Sequence, residues 1–301
     1  MESLQVEMPF ELVSDHSCLC GEGPLWDAQN KRLYWIDIVS GHIHCLSAEK
    51  TLKSFETDQK IGAIGLTESG KIIAALKNGL YAIDFPNGTM TKIIDPEPDK
   101  PDNRFNDGKC DPAGRFWAGT MSDIGIAGQG NLYTLEQDGT VIKKLDGLSI
   151  SNGLTWDVPH SKFYHIDTPT KKIMAYDYDN ETGSISNGIT IIEIPESEGV
   201  PDGMTIDEHG MLWIAHWNGN RVSRWDPNTA SKLQEVFLPV SKVTSCTFGG
   251  QDMDDLYVTT AKVGLSEKEL EEQPLAGATF LFKQIGVRGI AESIIKDKSL
   301  L

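Results

Sequence analysis

The sequence predicts an all-β fold, a six-bladed β-propeller with four-stranded antiparallel blades, and three observations point to it. One phrase recurs six times along the chain. Its copies begin roughly 40–50 residues apart, the length that a four-stranded blade needs. Long amphipathic helices are missing, and 29 glycines supply the tight turns of such a fold.

Each copy is a short apolar strand, a turn rich in Asp and Gly, and a second strand that opens on an aromatic or aliphatic pair. The copies are GPLWDAQNKRLYWID from Gly23, AIGLTESGKIIAAL from Ala63 and DGKCDPAGRFWAGT from Asp107. GLTWDVPHSKFYHID from Gly153, GMTIDEHGMLWIAHW from Gly203 and CTFGGQDMDDLYVTT from Cys246 complete the set. Between them lie GHIHCLSAE, NGLYAIDFPNG, GNLYTLEQDG, KKIMAYDYDNETG, NRVSRWDPNT and ATFLFKQIG, which alternate apolar and polar residues and end in turns. FELVSD precedes the first copy and is expected to add an outer strand to the last blade, closing the ring. DPEPDKPDNR at 95–104 falls where one blade passes to the next and reads as a loop over the ring. SEKELEE near residue 266 reads as a short helical insertion. No boundary interrupts the series, so residues 1–301 are expected to form a single propeller domain.

The formal net charge is −17. A surface of that sign repels phosphate backbones and anionic lipid, so nucleic acid and membrane are not expected partners. The N-terminus lacks the basic start and apolar run of a secretory signal, and no apolar stretch approaches 18 residues. Five cysteines with no framework spacing fit a reducing compartment, so a cytoplasmic location is expected.

The six copies align on the turn residue: Asp27, Thr67, Asp111, Asp157, Asp207 and Gly250. Five positions earlier stand Glu22, Gly62, Asn106, Asn152, Asp202 and Ser245. Inner strands line the channel of a propeller, so residues of equal phase sit at equal height around the axis. Glu22, Asn106, Asn152 and Asp202 should therefore converge at one mouth. Asn-Gly and Asp-Gly are also ordinary turn punctuation, but a turn does not require them in register around a ring. Carboxylates with amide oxygens suit Ca²⁺, Mg²⁺ or Mn²⁺ better than a structural Zn²⁺ site.

Other groups read more plainly. Cys18 with Cys20, and His42 with His44, are expected to be packing or surface pairs, since neither has the partners of a metal site. His165 and His216 are expected to be buried and hydrogen-bonded near the channel. Trp26, Trp35, Trp117 and Trp213 recur at near-equivalent places and should pack the blades. No phosphate loop and no G-x-S-x-G elbow is present, so nucleotide and serine-hydrolase chemistry are not supported.

GEGP at 21–24, NRFNDGKCDPAGRFWAGTM at 103–121, SNGLTWD at 151–157 and PDGMTID at 201–207 resemble the SMP-30/gluconolactonase/regucalcin (LRE-like) family of propellers. The likeness runs over nearly the whole chain, and GLSEKELEEQPLAG looks especially like bacterial sugar lactonases of that family. The resemblance implies a metal held by Glu22, Asn152 and Asp202, with Arg104 and Asn106 on the substrate and Asp202 as general base. It also implies a metal-dependent hydrolase that opens a sugar lactone to the aldonic acid. The cofactor is then one divalent ion, Ca²⁺ first, with Mg²⁺, Mn²⁺, Zn²⁺ or Fe²⁺ as further choices. A monomer or weak homo-oligomer is expected. One stretch departs from the pattern: some animal members carry a substrate-binding Glu soon after the GTM motif, and SDIGIAGQGN here has none. Two rivals use the same mouth, a metal-dependent phosphotriesterase or other esterase and a non-enzymatic calcium-binding propeller.

Overall fold

The computed structural model describes residues 8–297. Its strands form six four-stranded antiparallel sheets, each a blade. Blade 1 comprises Gly21–Asp27, Arg32–Asp37, His42–Leu46 and Leu52–Glu56. Blades 2 to 5 follow in chain order, with inner strands Ile61–Leu66, Asn103–Cys110, Ser151–Asp157 and Val200–Ile206. Blade 6 has inner strand Val243–Gly249, then Asp255–Thr260 and Phe280–Phe282. Its fourth strand is Glu11–Leu12, paired with Leu281 and Phe280. The predicted ring closure by FELVSD is therefore present. Phe10 rests edge-on against Phe280, with ring centroids 5.1 Å apart.

The six inner strands touch in sequence, and the last touches the first. Side chains at the start of these strands consequently share one mouth. Every inner strand also breaks register with its neighbour near that start: between Glu22 and Leu25, Ile61 and Ala63, Phe105 and Asp107, Asn152 and Leu154, Pro201 and Met204, and Val243 and Ser245. A β-bulge leaves a residue out of the ladder and re-aims it. The recurrent bulge falls at or beside the phase of the polar ring: Asn106 and Asp202 leave the ladder there, while Glu22 and Asn152 are the last paired residues before it.

Glycine follows the ring residue where strands converge. A Cβ on Gly153 would lie 2.6 Å from the Asp202 carbonyl oxygen, so only glycine lets blades 4 and 5 close there. At the other end of the strands the turn aspartates serve the scaffold. Asp111 accepts from the Trp117 indole at 3.0 Å, and Asp207 from the Trp213 indole at 3.0 Å. Trp35, Trp117 and Trp213 are fully buried between blades, as expected; Trp26 is half-buried and stacks on Tyr257.

Two segments differ from expectation. The connection at 95–104 gives way to strand already at Asn103, so Arg104 is held by a ladder rather than a loop. The described residues after the last strand, up to Asp297, do not trail away. Gly289 bridges Asp207 of blade 5, and Ile295 bridges Thr67 of blade 2, diametrically opposite in a ring of six. Glu292 lies between Lys109 of blade 3, at 3.4 Å, and Thr247 of blade 6, at 3.2 Å. The tail thus crosses the channel at the end away from the polar ring. The insertion near 266 is the helix Glu267–Glu272, opened by a Ser266–Glu269 capping box. Among the described residues no helix is long and apolar enough to cross a membrane.

Candidate active site

Glu22, Asn106, Asn152 and Asp202 do meet. They line one cleft of about 430 Å³ together with Arg104. All four are buried, with 4–7% of each exposed. Asn152 donates through Nδ2 to Asp202 Oδ1 and to Thr168 Oγ1 at 3.1 Å. Thr168 in turn donates to the Pro201 carbonyl at 2.9 Å, which fixes the amide's orientation. The Asn152 oxygen is then left buried with no hydrogen bond. Such an orphan costs about 1–3 kcal/mol unless something outside the protein meets it.

The carboxylates tell the same story. Glu22 accepts from the Gly23 backbone N–H at 2.6 Å. Burial, and then the neighbouring charges of Asp202 and Asp107, raise Glu22 well above the usual carboxylate range. Burial and then Asp107 raise Asp202 likewise. Asp107, one residue deeper in the channel than Asn106, is pushed up to about 6, chiefly by burial. Three crowded, buried acids are costly as anions even with Arg104 and Lys109 nearby, since burial outweighs what those cations return. Oxygen donors, an orphaned acceptor and surplus negative charge together fit a hard divalent cation between Glu22, Asn152 and Asp202.

Asn106 differs from Asn152. Its Oδ1 accepts from Arg104 Nη1 at 2.9 Å and its Nδ2 donates to the Ser151 carbonyl at 2.9 Å. Its oxygen is committed to a guanidinium, so it braces Arg104 rather than completing the carboxylate group. Arg104 Nε donates to Asp123 Oδ1 at 3.1 Å, and Asp123 is also held by Lys60 at 2.6 Å. Arg104 is thereby locked from two sides where it lines the cleft.

Several lining residues escaped the sequence reading. Thr168 is one. Ile38, Met121, Ile150, Val200, Trp217 and Val263 are others, and they make the cleft wall largely apolar. Met121 and Trp217 stand opposite Arg104 and Val200, at the ends of their blades' second strands. Applying the repeat register to those strand ends would have found them. Asp123 belongs to the SDIG stretch, where an aspartate meets Arg104 although the glutamate expected from some animal members is not there. His165 and His216 are buried as expected. His165 Nε2 pairs with Ser151 Oγ at 2.9 Å, and His216 pairs with Ser223 Oγ and the Glu198 carbonyl. A second cleft of about 500 Å³ opens beyond Arg104, along Lys77, Pro98 and Pro101, and holds none of the other ring residues.

The model of the SMP-30/Gluconolactonase/LRE-like region matches residues 20–262. The chain belongs to that family. Relatives of this SMP-30/gluconolactonase chain include "Putative sugar lactone lactonase YvrE" of Bacillus subtilis, 42% identical over 91% of this chain and 94% of that protein. Regucalcin of Xenopus laevis is 40% identical over 94% of this chain and 96% of its own length. Among solved structures, a luciferin-regenerating enzyme superposes with a TM-score of 0.91 at 31% identity, covering 96% of this chain and 99% of its own. Regucalcin from Agrobacterium tumefaciens, described as a calcium-binding protein, superposes with a TM-score of 0.90 at 28% identity, covering 97% and 99%.

Proposed function

We propose that this protein hydrolyses a sugar lactone, with one divalent cation held by Glu22, Asn152 and Asp202. The observation that carries the proposal is the buried set of oxygen donors: the Asn152 oxygen without a hydrogen bond, beside two carboxyls raised by burial and by neighbouring carboxylates. Membership of the family and 42% identity to a relative bearing a lactonase name support the choice of reaction. An all-oxygen donor set supports Ca²⁺ first among cations.

A cation held by Glu22, Asn152 and Asp202 would supply Lewis acidity toward the lactone carbonyl. The remaining steps fall to the chain. Asp202 takes a proton from the attacking water as general base. Arg104, braced by Asn106 and Asp123, donates hydrogen bonds to a sugar hydroxyl or the ring oxygen. The apolar wall from Ile38 to Val263 excludes water around the reacting ester and strengthens each electrostatic contact.

The test is a panel of pentono- and hexonolactones, with an organophosphate triester for comparison. Metal-stripped protein should be inactive, and one added divalent ion should restore lactone turnover. Faster turnover of the triester would favour the esterase rival. No turnover of any lactone with any of the five ions would overturn the proposal in favour of a binding propeller.

A further inference from the structure

We infer that His16, Cys18 and His44 form a second metal site, distinct from the channel mouth and selective for a borderline cation of the Zn²⁺ class. The inference does not rest on the lactonase proposal.

His16 and Cys18 lie two residues apart on the irregular segment that leads into blade 1. The segment is pinned by Ser17 Oγ to the Ala276 carbonyl at 3.0 Å and by the Cys18 N–H to the Gly277 carbonyl at 2.9 Å. His44 arrives from the third strand of blade 1. Ligand atoms of the three residues all lie within 4.8 Å of one another. A tetrahedral Zn²⁺ with bonds of 2.0–2.3 Å spaces its ligands about 3.3–3.8 Å apart, so side-chain adjustment alone closes the site.

A second observation points to a ligand. His44 is 1% exposed, its Nδ1 is paired with Ser54 Oγ at 2.8 Å, and its Nε2 is buried with no partner. Fixing one ring nitrogen by a hydrogen bond and leaving the other bare is how metal-binding histidines are held. The His16 and His44 rings lie 4.2 Å apart, and no hydrogen bond to the His16 ring is present among the described residues. His16 is half-exposed, which gives an ion a way in, whereas Cys18 is sealed against Leu33, Trp35 and Tyr257. Burial holds the Cys18 thiol protonated, pushed up to about 12, so binding must expel one proton as the metal–sulfur bond forms. Two imidazoles and a thiolate reject Ca²⁺ and Mg²⁺, so the two sites would sort ions by softness. Cys20 and His42, their chain neighbours, are not in the cluster; Cys20 lines the mouth cleft instead.

The test uses metal-stripped full-length protein in excess Ca²⁺, titrated with Co²⁺. One equivalent should bind, with a cobalt–thiolate charge-transfer absorption that Zn²⁺ abolishes by displacement. Cys18→Ser should lose that absorption, His44→Gln should weaken Co²⁺ at least tenfold, and Glu22→Gln should leave the absorption unchanged. The wild-type protein alone can overturn the inference, by giving no cobalt–thiolate absorption. An unchanged absorption in folded Cys18→Ser would overturn it as well. If that variant fails to fold, His44→Gln decides, and undiminished affinity there is fatal to the site.

Discussion

The Asn152 amide nitrogen donates to the Asp202 carboxylate across the seam between blades 4 and 5, while the Asn152 oxygen beside it receives nothing. One side chain is therefore half satisfied by protein and half reserved for a ligand. Replacing it with leucine removes that oxygen and nearly preserves volume. Asn152→Leu should weaken divalent-cation affinity by about 10–100-fold, while the melt of the metal-free protein shifts little, because losing the orphaned oxygen offsets losing the Nδ2 donor to Asp202 and Thr168. Calorimetric Ca²⁺ titration and a thermal melt read both. Unaltered affinity would remove Asn152 from the coordination shell.

Asp202 is expected to act on the water as well as on the cation. At saturating metal, Asp202→Asn should lower kcat by about 10²–10⁴-fold, the usual worth of a general base. Full activity under those conditions would assign the proton transfer elsewhere.

Asp123 touches Arg104 but lies outside the lining of the cleft. Asp123→Asn should raise KM roughly tenfold, about the 1.4 kcal/mol of one loosened charge-assisted contact. The change in kcat should be smaller, because Asn106 and the Phe105 carbonyl still hold the guanidinium. Equal losses in kcat with KM unchanged would show that Arg104 acts in the transition state only.

Burial pushes His165 down to about 3 and His216 down to about 4. The unfolded chain takes up protons below about pH 6.5, and the folded chain does not until far lower. Each histidine therefore favours the folded state above pH 6.5, and that contribution shrinks as pH falls toward the folded value. The loss is up to about 1.4 kcal/mol per pH unit per histidine. Urea unfolding of His165→Gln between pH 6.5 and 4.5 should give a flatter profile. Superimposable slopes would mean that His165 is protonated in the folded state.

The repeat made the blades and the mouth legible, because phase within a repeat converts directly into height along an axis. That is why Glu22 and Asp202 could be joined although the rest of the chain intervenes. Arithmetic on one strand did not reach its partner, so Thr168, Met121 and Trp217 were missed. The histidine–cysteine cluster was hidden for a different reason. Pairing neighbours in sequence set Cys18 with Cys20 and His42 with His44, whereas the cluster joins two separate segments: the chain leading into blade 1 brings His16 and Cys18 to His44 of its third strand. The tail was illegible because it follows no repeat: its course is set by bridges to Asp207 and Thr67.

That tail makes the ring a cup rather than a pipe. With Glu292 wedged between opposite blades at the base, whatever enters at the rim must back out by the same route. A spent acid would have to leave before a fresh ester could take its seat. Turnover would then be paced by traffic through a single doorway, and a bulky partner parked on that face would silence the whole molecule.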